Sequence, residues 1–464
     1  MKWIWTACIF TLLSGRIHCQ DFLKFYQDSA EIQTARHILP DKANKFWLGG
    51  TKGSSGENTK AWLYRVDSDG NVLKKISFPS LKSQVWVGME FDANGALFAV
   101  VGLREFTGET NYFLAQCDST GLLDFTPIPG LENAVLDDVS SCSRNRILVC
   151  GFKASPGIAG NDFFLARVNL DSSKTDLVYY EGFGPNDHIS MVQEAENGSI
   201  LFCGTVAEGQ AYSPCMGKLD SIGTTEWLTI PPTQWNDGAQ RFTLDSNGDI
   251  WLVGESSTSA GSFFDTELFK FNSIGELLWQ QWLGAPGQDA AFNILPCKLS
   301  RGFWVSGYSN AGASGIGPIS PFLMRLDSAG NSLGEAFWPM SAPSPVYDME
   351  VFADSTFYFC GISSNKGYFM KRNNPALQNT FVVKNSSIFF PEMAKSGLEK
   401  LKIAIESGKG SKFNLSDLTG KQLGILDFQN GKIRFPSDLF GSYFLSWQEE
   451  SVRKSILVYI SSNQ

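Results

Sequence analysis

Seven short apolar runs recur along the chain, and each run ends in a glycine that opens a loop rich in Gly and Ser. The seven glycines are Gly50, Gly102, Gly151, Gly204, Gly254, Gly307 and Gly361. They follow one another at intervals of about 50 residues, and an interval of that length carried by strand-like segments is typical of a β-propeller. The pattern therefore predicts an all-β fold built around a seven-bladed β-propeller.

Within each repeat, the apolar positions and turn residues predict four strands. A tight Asp-Ser-x-Gly turn follows the third strand in several repeats, as at residues 67–70 and 327–330, where Asp caps the turn and Gly takes a positive φ. Because strands alternate in direction, these turns gather on one face of the propeller and the long loops on the other. The long loops are the predicted ligand-binding face; they span residues 52–60, 104–111, 153–162, 206–214, 256–265 and 309–318.

Closure of the propeller ring has two possible solutions. Residues 22–26 can supply the outer strand of the last blade, or residues 380–383 can do so locally. We favour the first solution, because it ties the two ends of the propeller together.

A column of aspartates lies near the start of the predicted first strands: Asp138, Asp187, Asp237, Asp289 and Asp348. First strands line the channel of a propeller, so this ring of carboxylates can hold a cation or sugar hydroxyls at the channel mouth. The structural interpretation, which repetition across blades favours, is that each Asp caps a turn between blades. A basic column is expected to pack its stems across blades, with its charges near turn acids: Arg65, Arg167, Lys218, Lys270, Arg325 and Lys371.

The beginning of the chain predicts export. Residues 1–19 combine a lysine at position 2, an apolar stretch and a polar end, which is the pattern of a secretory signal peptide. Lipidation at Cys19 is the alternative. No later segment approaches the ~20 apolar residues of a membrane span, so we expect a protein that is secreted or held at the cell surface. A formal net charge of −9 argues against sequence-independent binding to nucleic acid or anionic membranes.

Seven cysteines follow the predicted signal peptide. Three of them, Cys150, Cys203 and Cys360, share one column of the repeat. Equivalent positions in neighbouring blades lie about 10 Å apart, beyond the ~7 Å limit for a disulfide. We expect them to be core thiols. The odd total and the lack of a CxxC pair favour neither a disulfide framework nor a zinc site.

After residue 384 the pattern changes to that of a small antiparallel β-sandwich, so we divide the chain into residues 1–19, 20–384 and 385–464. Asp417 and Gly420 lie in an Asp-Leu-Thr-Gly-Lys turn, Gly441 and Tyr443 in a Gly-x-Tyr-x-Leu strand, and Lys454 opens a Lys-x-Ile-x-Val ending. These motifs resemble the C-terminal sorting domain of proteins exported by the type IX secretion system of Bacteroidota. The resemblance implies recognition of the tail by the secretion machinery, its removal, and either release or surface attachment. An immunoglobulin-like carbohydrate-binding tail is the alternative.

Residue types that carry catalysis are scarce. After the predicted signal peptide the histidines are His37 and His188, so a Ser/His/Asp or Cys/His arrangement has almost no base to draw on. No motif for a metal, phosphate or cofactor appears, and we assign no catalytic, cofactor-binding or metal-binding residue. Nearly equal blades favour a non-enzymatic binding or scaffold module for an extracellular glycan or protein. The alternative is a propeller glycoside hydrolase or polysaccharide lyase that uses a pair of loop-face carboxylates.

Overall fold

The computed structural model describes most of residues 21–373 with their side chains, and six strands between residues 382 and 460 by their backbone alone. Within the first range it leaves out residues 28–30, 43, 54–58, 81, 93, 106–107, 155–159, 183, 185, 209–210, 233–235, 258–263, 285–286, 299–301, 311–317 and 353–354. The predicted signal peptide and parts of every predicted ligand loop lie outside the described residues. Every regular element in the described part is a β-strand, and no helix there is long and apolar enough to cross a bilayer.

The prediction of a seven-bladed propeller is confirmed, because seven antiparallel sheets follow one another along the chain. In the order inner to outer strand, blades 1 to 3 are Ile32–Asp41, Lys45–Gly53, Lys60–Val66 and Val72–Ser77; Ser83–Phe91, Leu97–Arg104, Thr110–Cys117 and Leu122–Pro127; and Ala134–Cys142, Arg146–Ala154, Asn161–Asn169 and Thr175–Glu181. Blades 4 to 6 are His188–Glu194, Ile200–Glu208, Ala211–Leu219 and Thr225–Thr229; Asp237–Leu244, Ile250–Ser257, Phe264–Phe271 and Leu277–Gly284; and Asp289–Pro296, Phe303–Ser309, Ser320–Leu326 and Ser332–Phe337.

Blade 7 combines the two ends of the propeller. Its first three strands are Val346–Phe352, Thr356–Ser363 and Lys366–Asn373, and its outer strand is the N-terminal segment Phe22–Tyr26. The segment Val382–Ser387 instead pairs with the outer strand of blade 5. Of the two solutions for ring closure, the structure therefore shows the N-terminal one.

Tyr26 anchors the closing strand, and its replacement by leucine is expected to destabilise the propeller by about 2 kcal/mol. The Tyr26 side chain is 7% exposed, its hydroxyl donates to the Gly70 carbonyl oxygen at 2.8 Å, and its ring packs edge-on against Tyr64. Phe25 in the same strand is 46% exposed, so Phe25→Leu is the matched control and should cost under about 0.5 kcal/mol. Calorimetric unfolding of both variants measures the difference; equal effects would contradict the anchoring role.

Each inner strand carries a β-bulge, an extra residue that has no partner on the second strand of its blade. The bulge residues are Arg36, Val87, Asp137, Ser190, Gln240, Phe292 and Tyr347. A bulge bends the strand and changes the direction of the side chains beside it. The same distortion therefore recurs at seven points around the central channel.

The bulges explain six of the seven repeat glycines, all except Gly102. A Cβ atom at any of these six would lie 1.9 to 2.1 Å from a backbone carbonyl oxygen, which belongs to the adjacent inner strand or, for Gly361, to Pro345 just before it. Gly102 pairs with Val85, one position further along its strand, and the atoms nearest to its Cβ would belong to the side chains of Thr110 and Tyr112. The repeated glycine thus marks a close approach of two backbones in six blades.

The basic column places its charges near acidic side chains, as the sequence predicts, but the ion pairs of Arg65, Arg167, Lys218 and Lys270 lie within one blade and not across blades. Arg65 lies 2.6 Å from Asp41 and stacks over Trp47, and Lys270 lies 2.9 Å from Asp249. All seven cysteines of the described part are free thiols, and the three in the repeat column are fully buried, which confirms them as core residues. The basic side chains and thiols are therefore accounted for by packing.

The tail contains one five-stranded antiparallel sheet. In sheet order, its strands are Lys432–Ile433, Gln422–Gln429, Lys412–Ser416, Gly441–Glu449 and Val452–Ile460. Gly441 and Tyr443 lie in the fourth of these strands and Lys454 in the fifth, whereas Asp417 and Gly420 lie outside the described residues. A second sheet facing this one is absent from the described part of the tail, so the sandwich stays a prediction.

Candidate functional site

A cavity of about 260 Å³ opens at the centre of the propeller, and we call it the channel mouth. Its lining residues come from the inner strands of six blades: Arg36, His37, Asp137, His188, Ser190, Gln240, Arg241, Phe292 and Tyr347. Six of these residues occupy bulge positions. Because every inner strand begins at the loop face, the bulge residues lie nearer to that face than the residues that follow them.

A second cavity of about 450 Å³, the deep channel, continues the channel mouth toward the tight turns. His37 and Arg241 line both cavities. Asp138 and Asp348 line the deep channel, together with Glu90 and Glu350, which lie further toward the turn face. Charged and polar groups therefore share the wall of the deep channel with apolar side chains such as Met89 and Phe242.

Arg241 supplies the positive charge at the junction of the two cavities. Its Nη2 atom lies 3.9 Å from Oδ1 of Asp138. Burial alone would lower the pKa of Arg241, but Asp138 and Asp348 raise it, so the guanidinium stays charged. Blade 5 thus extends a cation toward carboxylates of blades 3 and 7.

Asp138 and Asp348 each follow a bulge and accept a hydrogen bond from the backbone of the next blade. Oδ2 of Asp348 accepts from the Ile38 N–H at 2.9 Å, and Oδ2 of Asp138 accepts from the Val192 N–H at 3.4 Å. Burial raises the pKa of both carboxyls, against the effect of Arg241. These two aspartates therefore join blades and also carry charge into the channel.

The structure separates these two from the other three aspartates of the predicted ring. Asp187, Asp237 and Asp289 are buried at the beginning of their blades, on the loop side of the bulges. The Asp187 carboxylate accepts hydrogen bonds from the N–H groups of Gly184 at 2.9 Å and Ala207 at 2.8 Å. The five aspartates thus occupy two different levels of the propeller, and two of the five reach the channel.

Three further acids around the channel hold their protons unusually tightly. Burial and the neighbouring Asp138 raise the pKa of Asp137 to about 7. Burial raises the pKa of Glu90 and of Glu350 to about 8, with further contributions from Asp138 and Asp348 respectively. At neutral pH Glu90 and Glu350 are therefore largely uncharged, and Asp137 titrates.

Both histidines after residue 19 are neutral and line the channel mouth. Burial, with the charges of Arg241 and Arg36, lowers the pKa of His37 to about 3, and its Nδ1 atom accepts a hydrogen bond from Trp86 Nε1 at 2.8 Å. Burial also lowers the pKa of His188. These imidazoles can exchange hydrogen bonds with a ligand without adding charge.

Two aromatic rings complete the channel mouth. Phe292 packs 5.5 Å from Tyr308, measured between ring centroids, and the Arg36 guanidinium lies 5.2 Å from the centre of the Tyr347 ring. Both rings are only partly buried. Each ring is therefore held by a neighbour and leaves surface for a ligand.

Most residues of the channel mouth were not predicted from the sequence, although a signal for some of them exists. His37, Asp138, Met191, Arg241 and Asp348 each stand 13 residues before the glycine of their own repeat. A column at that fixed offset would have included Arg241 and left out Asp187. Among the described residues, no group of three His, Cys, Asp or Glu side chains is placed to hold a metal ion.

No protein-family model matches the sequence, and no curated protein sequence matches it. Solved structures with a similar fold include virginiamycin B lyase from Staphylococcus aureus, with a TM-score of 0.50 and 13% identity over 76% of this chain and 99% of that one. The Dos1 propeller has a TM-score of 0.48 and 10% identity, over 77% of this chain and 96% of that one. Puromycin hydrolase has a TM-score of 0.48 and 11% identity, over 89% of this chain and 58% of that one. The likeness to virginiamycin B lyase, at 13% identity, shows a shared propeller fold alone, so the function has to be argued from the channel residues.

Proposed function

We propose that the protein is an exported, non-enzymatic β-propeller that binds an extracellular glycan at its channel mouth. The observation that carries the proposal is the combination of Phe292 and Tyr347 with polar groups from four other blades around one cavity of about 260 Å³. Apolar surface with a few convergent polar groups is the usual composition of a small-ligand site. The C–H face of a sugar ring packs on an aromatic ring, while its hydroxyls exchange hydrogen bonds with groups such as Gln240, Ser190 and His188.

The shape of the site favours a glycan over a protein partner. A cavity of this size holds one or two sugar units, whereas a stable protein interface buries about 800 Å² on each partner. The two most exposed of the described large apolar side chains, Ile222 at 79% and Ile274 at 64%, lie in tight turns on the opposite face. A single chain end that enters the channel mouth is therefore the ligand that fits it best.

Removal of the two rings tests the proposal. In gels that contain single polysaccharides, migration of the full chain is expected to be retarded by at least one polymer, and Phe292→Ala with Tyr347→Ala should weaken the binding about 10-fold or more. Phe264→Ala with Tyr212→Ala is the matched control, because these rings are exposed elsewhere on the loop side. Retardation that survives loss of Phe292 and Tyr347 would contradict a site at the channel mouth.

Export is proposed from the sequence alone. The supporting features are the signal-peptide pattern of residues 1–19 and the resemblance of residues 385–464 to type IX sorting domains. In a host with type IX secretion, the full chain should reach the cell surface or medium, and a chain ending at residue 384 should stay in the periplasm. Equal export of both chains would contradict a sorting role for residues 385–464.

An enzymatic propeller is the second candidate, and Asp137 is the observation that favours it. Its pKa of about 7 suits a general acid that exchanges protons near neutral pH, and it lines the channel mouth. A glycoside hydrolase or polysaccharide lyase would then release new reducing or unsaturated ends from a bound polymer. Product formation that is lost in Asp137→Asn would favour the enzyme, whereas binding without product favours the binding module.

A further inference from the structure

Arg241 has donor capacity that the described protein does not use. A guanidinium carries five N–H donors, yet within the described part of the chain no acceptor lies at hydrogen-bonding distance from Arg241. Its one ion pair, with Asp138, spans 3.9 Å, which is too long for a hydrogen bond. Because 27% of the Arg241 side chain is exposed, solvent or a ligand can supply the acceptors that this charge needs.

The nearby aspartates leave these donors open because they are engaged elsewhere. Asp348 accepts from the N–H groups of Ile38 and Met349, both at 2.9 Å, and Asp138 accepts from the N–H of Val192. Backbone donors have fixed positions, so they hold the carboxylates back from the guanidinium. The two aspartates therefore keep Arg241 charged without filling its hydrogen bonds.

Arg241 is also accessible from the cavity where the proposed ligand would sit. It lines both the channel mouth and the deep channel, so it stands at the base of the mouth. Arg36 adds a second positive charge there. The protonated Glu90 and Glu350 carboxyls make the channel less negative at neutral pH than its composition implies.

We propose that Arg241 is a specificity-determining residue that pairs with a singly charged oxygen group of the ligand, so that the protein prefers acidic glycans over neutral ones. This inference rests on the proposed glycan-binding function. The planar guanidinium matches two oxygens of a carboxylate or of a sulfate ester. A singly charged group fits best, because Asp138 and Asp348 already offset part of the positive charge. On a glycan, that group is a uronate carboxylate or a sulfate ester.

The net charge of the protein makes the test specific. With a formal net charge of −9, the chain as a whole repels polyanions, so retention by an acidic polymer requires a local cationic site. Affinity gels at constant ionic strength would contain polygalacturonate, dextran sulfate, or the neutral polymers galactan and dextran. The full chain is compared with Arg241→Gln and with Arg104→Gln, a control at an exposed arginine outside the channel.

The expected result is that polygalacturonate or dextran sulfate binds more tightly than its neutral counterpart. Arg241→Gln should abolish this preference with a loss of about 10- to 100-fold, the range for hydrogen bonds to a charged group, and Arg104→Gln should keep it. The polymer that loses affinity identifies carboxylate or sulfate as the recognised group. Arg241→Lys, which keeps the charge but not the planar donors, should fold like the parent and lose most of the preference, so it serves if the glutamine variant unfolds.

Two outcomes overturn the inference, and only one of them also rejects the proposed glycan binding. Equal binding of acidic and neutral polymers, or equal weakening of both by Arg241→Gln, rejects the role of Arg241 but keeps a glycan site. Absence of retardation by every polymer rejects the proposed function, and the inference with it.

Discussion

Replacement of Gly307 by alanine is expected to lower the free energy of unfolding of the propeller by about 3 kcal/mol or more. A Cβ atom at this position would lie 1.9 Å from the Ala290 carbonyl oxygen and 2.9 Å from the Cα atom of Ala291. Both contacts are with backbone, so no side-chain rotation can relieve them. The inner and second strands of blade 6 would have to separate at the bulge.

Gly102→Ala is the control for this effect. The atoms nearest to its Cβ would be Thr110 Cγ2 at 2.7 Å and Tyr112 Cε1 at 3.1 Å, and side chains can shift at a cost of about 1 kcal/mol. Denaturant unfolding of the full chain measures both values. Equal costs for the two alanines would show that the bulge is not the reason for the repeated glycine.

Stability of the propeller is expected to fall by several kcal/mol as the pH rises from about 5 to 9. Folding raises the pKa of Glu90 and Glu350 from 4.5 to about 8. Between these values the folded state keeps protons that the unfolded state has lost. Their contribution is therefore complete below pH 4.5 and disappears as the pH passes 8. Glu90 lies in the field of Asp138, Asp348 and Arg241, and Lys298 acts on Glu350.

Glutamine at both positions tests this dependence, because it imitates the protonated acid. Melting temperatures of Glu90→Gln with Glu350→Gln should match the parent near pH 5 and exceed it at pH 9. The capping aspartates of the tight turns act in a different range, since hydrogen bonds from the Thr120 hydroxyl and from backbone N–H groups lower the pKa of Asp118. A parent melting temperature that stays constant from pH 5 to 9 would show that the two glutamates ionise without cost.

The architecture was predictable because each blade repeats the same local requirements. The apolar run and the turn at 67–70 recur in similar form around the ring, and the Asp67 carboxylate does accept the N–H groups of Asp69 and Asn71. Closure of the ring by residues 22–26 was predicted only because it ties the two ends of the propeller together. The reason for the glycines was not predictable, because a close approach of two backbones depends on the bulge in the facing strand.

The candidate site was less predictable, since one inserted residue changes which side chains face the channel. Without the bulge, strict alternation would place Asp137 and Asp138 on opposite sides of the strand. With it, Asp137 lines the channel mouth and Asp138 the deep channel. In the sequence Arg241 stands out only by its offset of 13 residues from Gly254, and its significance lies in carboxylates of blades 3 and 7 that accept backbone N–H groups. The hydrogen-bond partners of Arg241 are set only when the blades assemble into the ring, so the sequence alone does not predict them.

The hydrogen bond from the Ile38 N–H to Asp348 connects residues 310 positions apart, beside the junction where Phe22–Tyr26 joins blade 7. The wall of the deep channel, which continues the channel mouth, and the seam of the ring therefore share one contact. Because a ligand that binds only the closed form stabilises it by mass action, occupancy of the channel mouth should slow opening of the seam. The chain would then resist proteolysis best where its ligand is abundant.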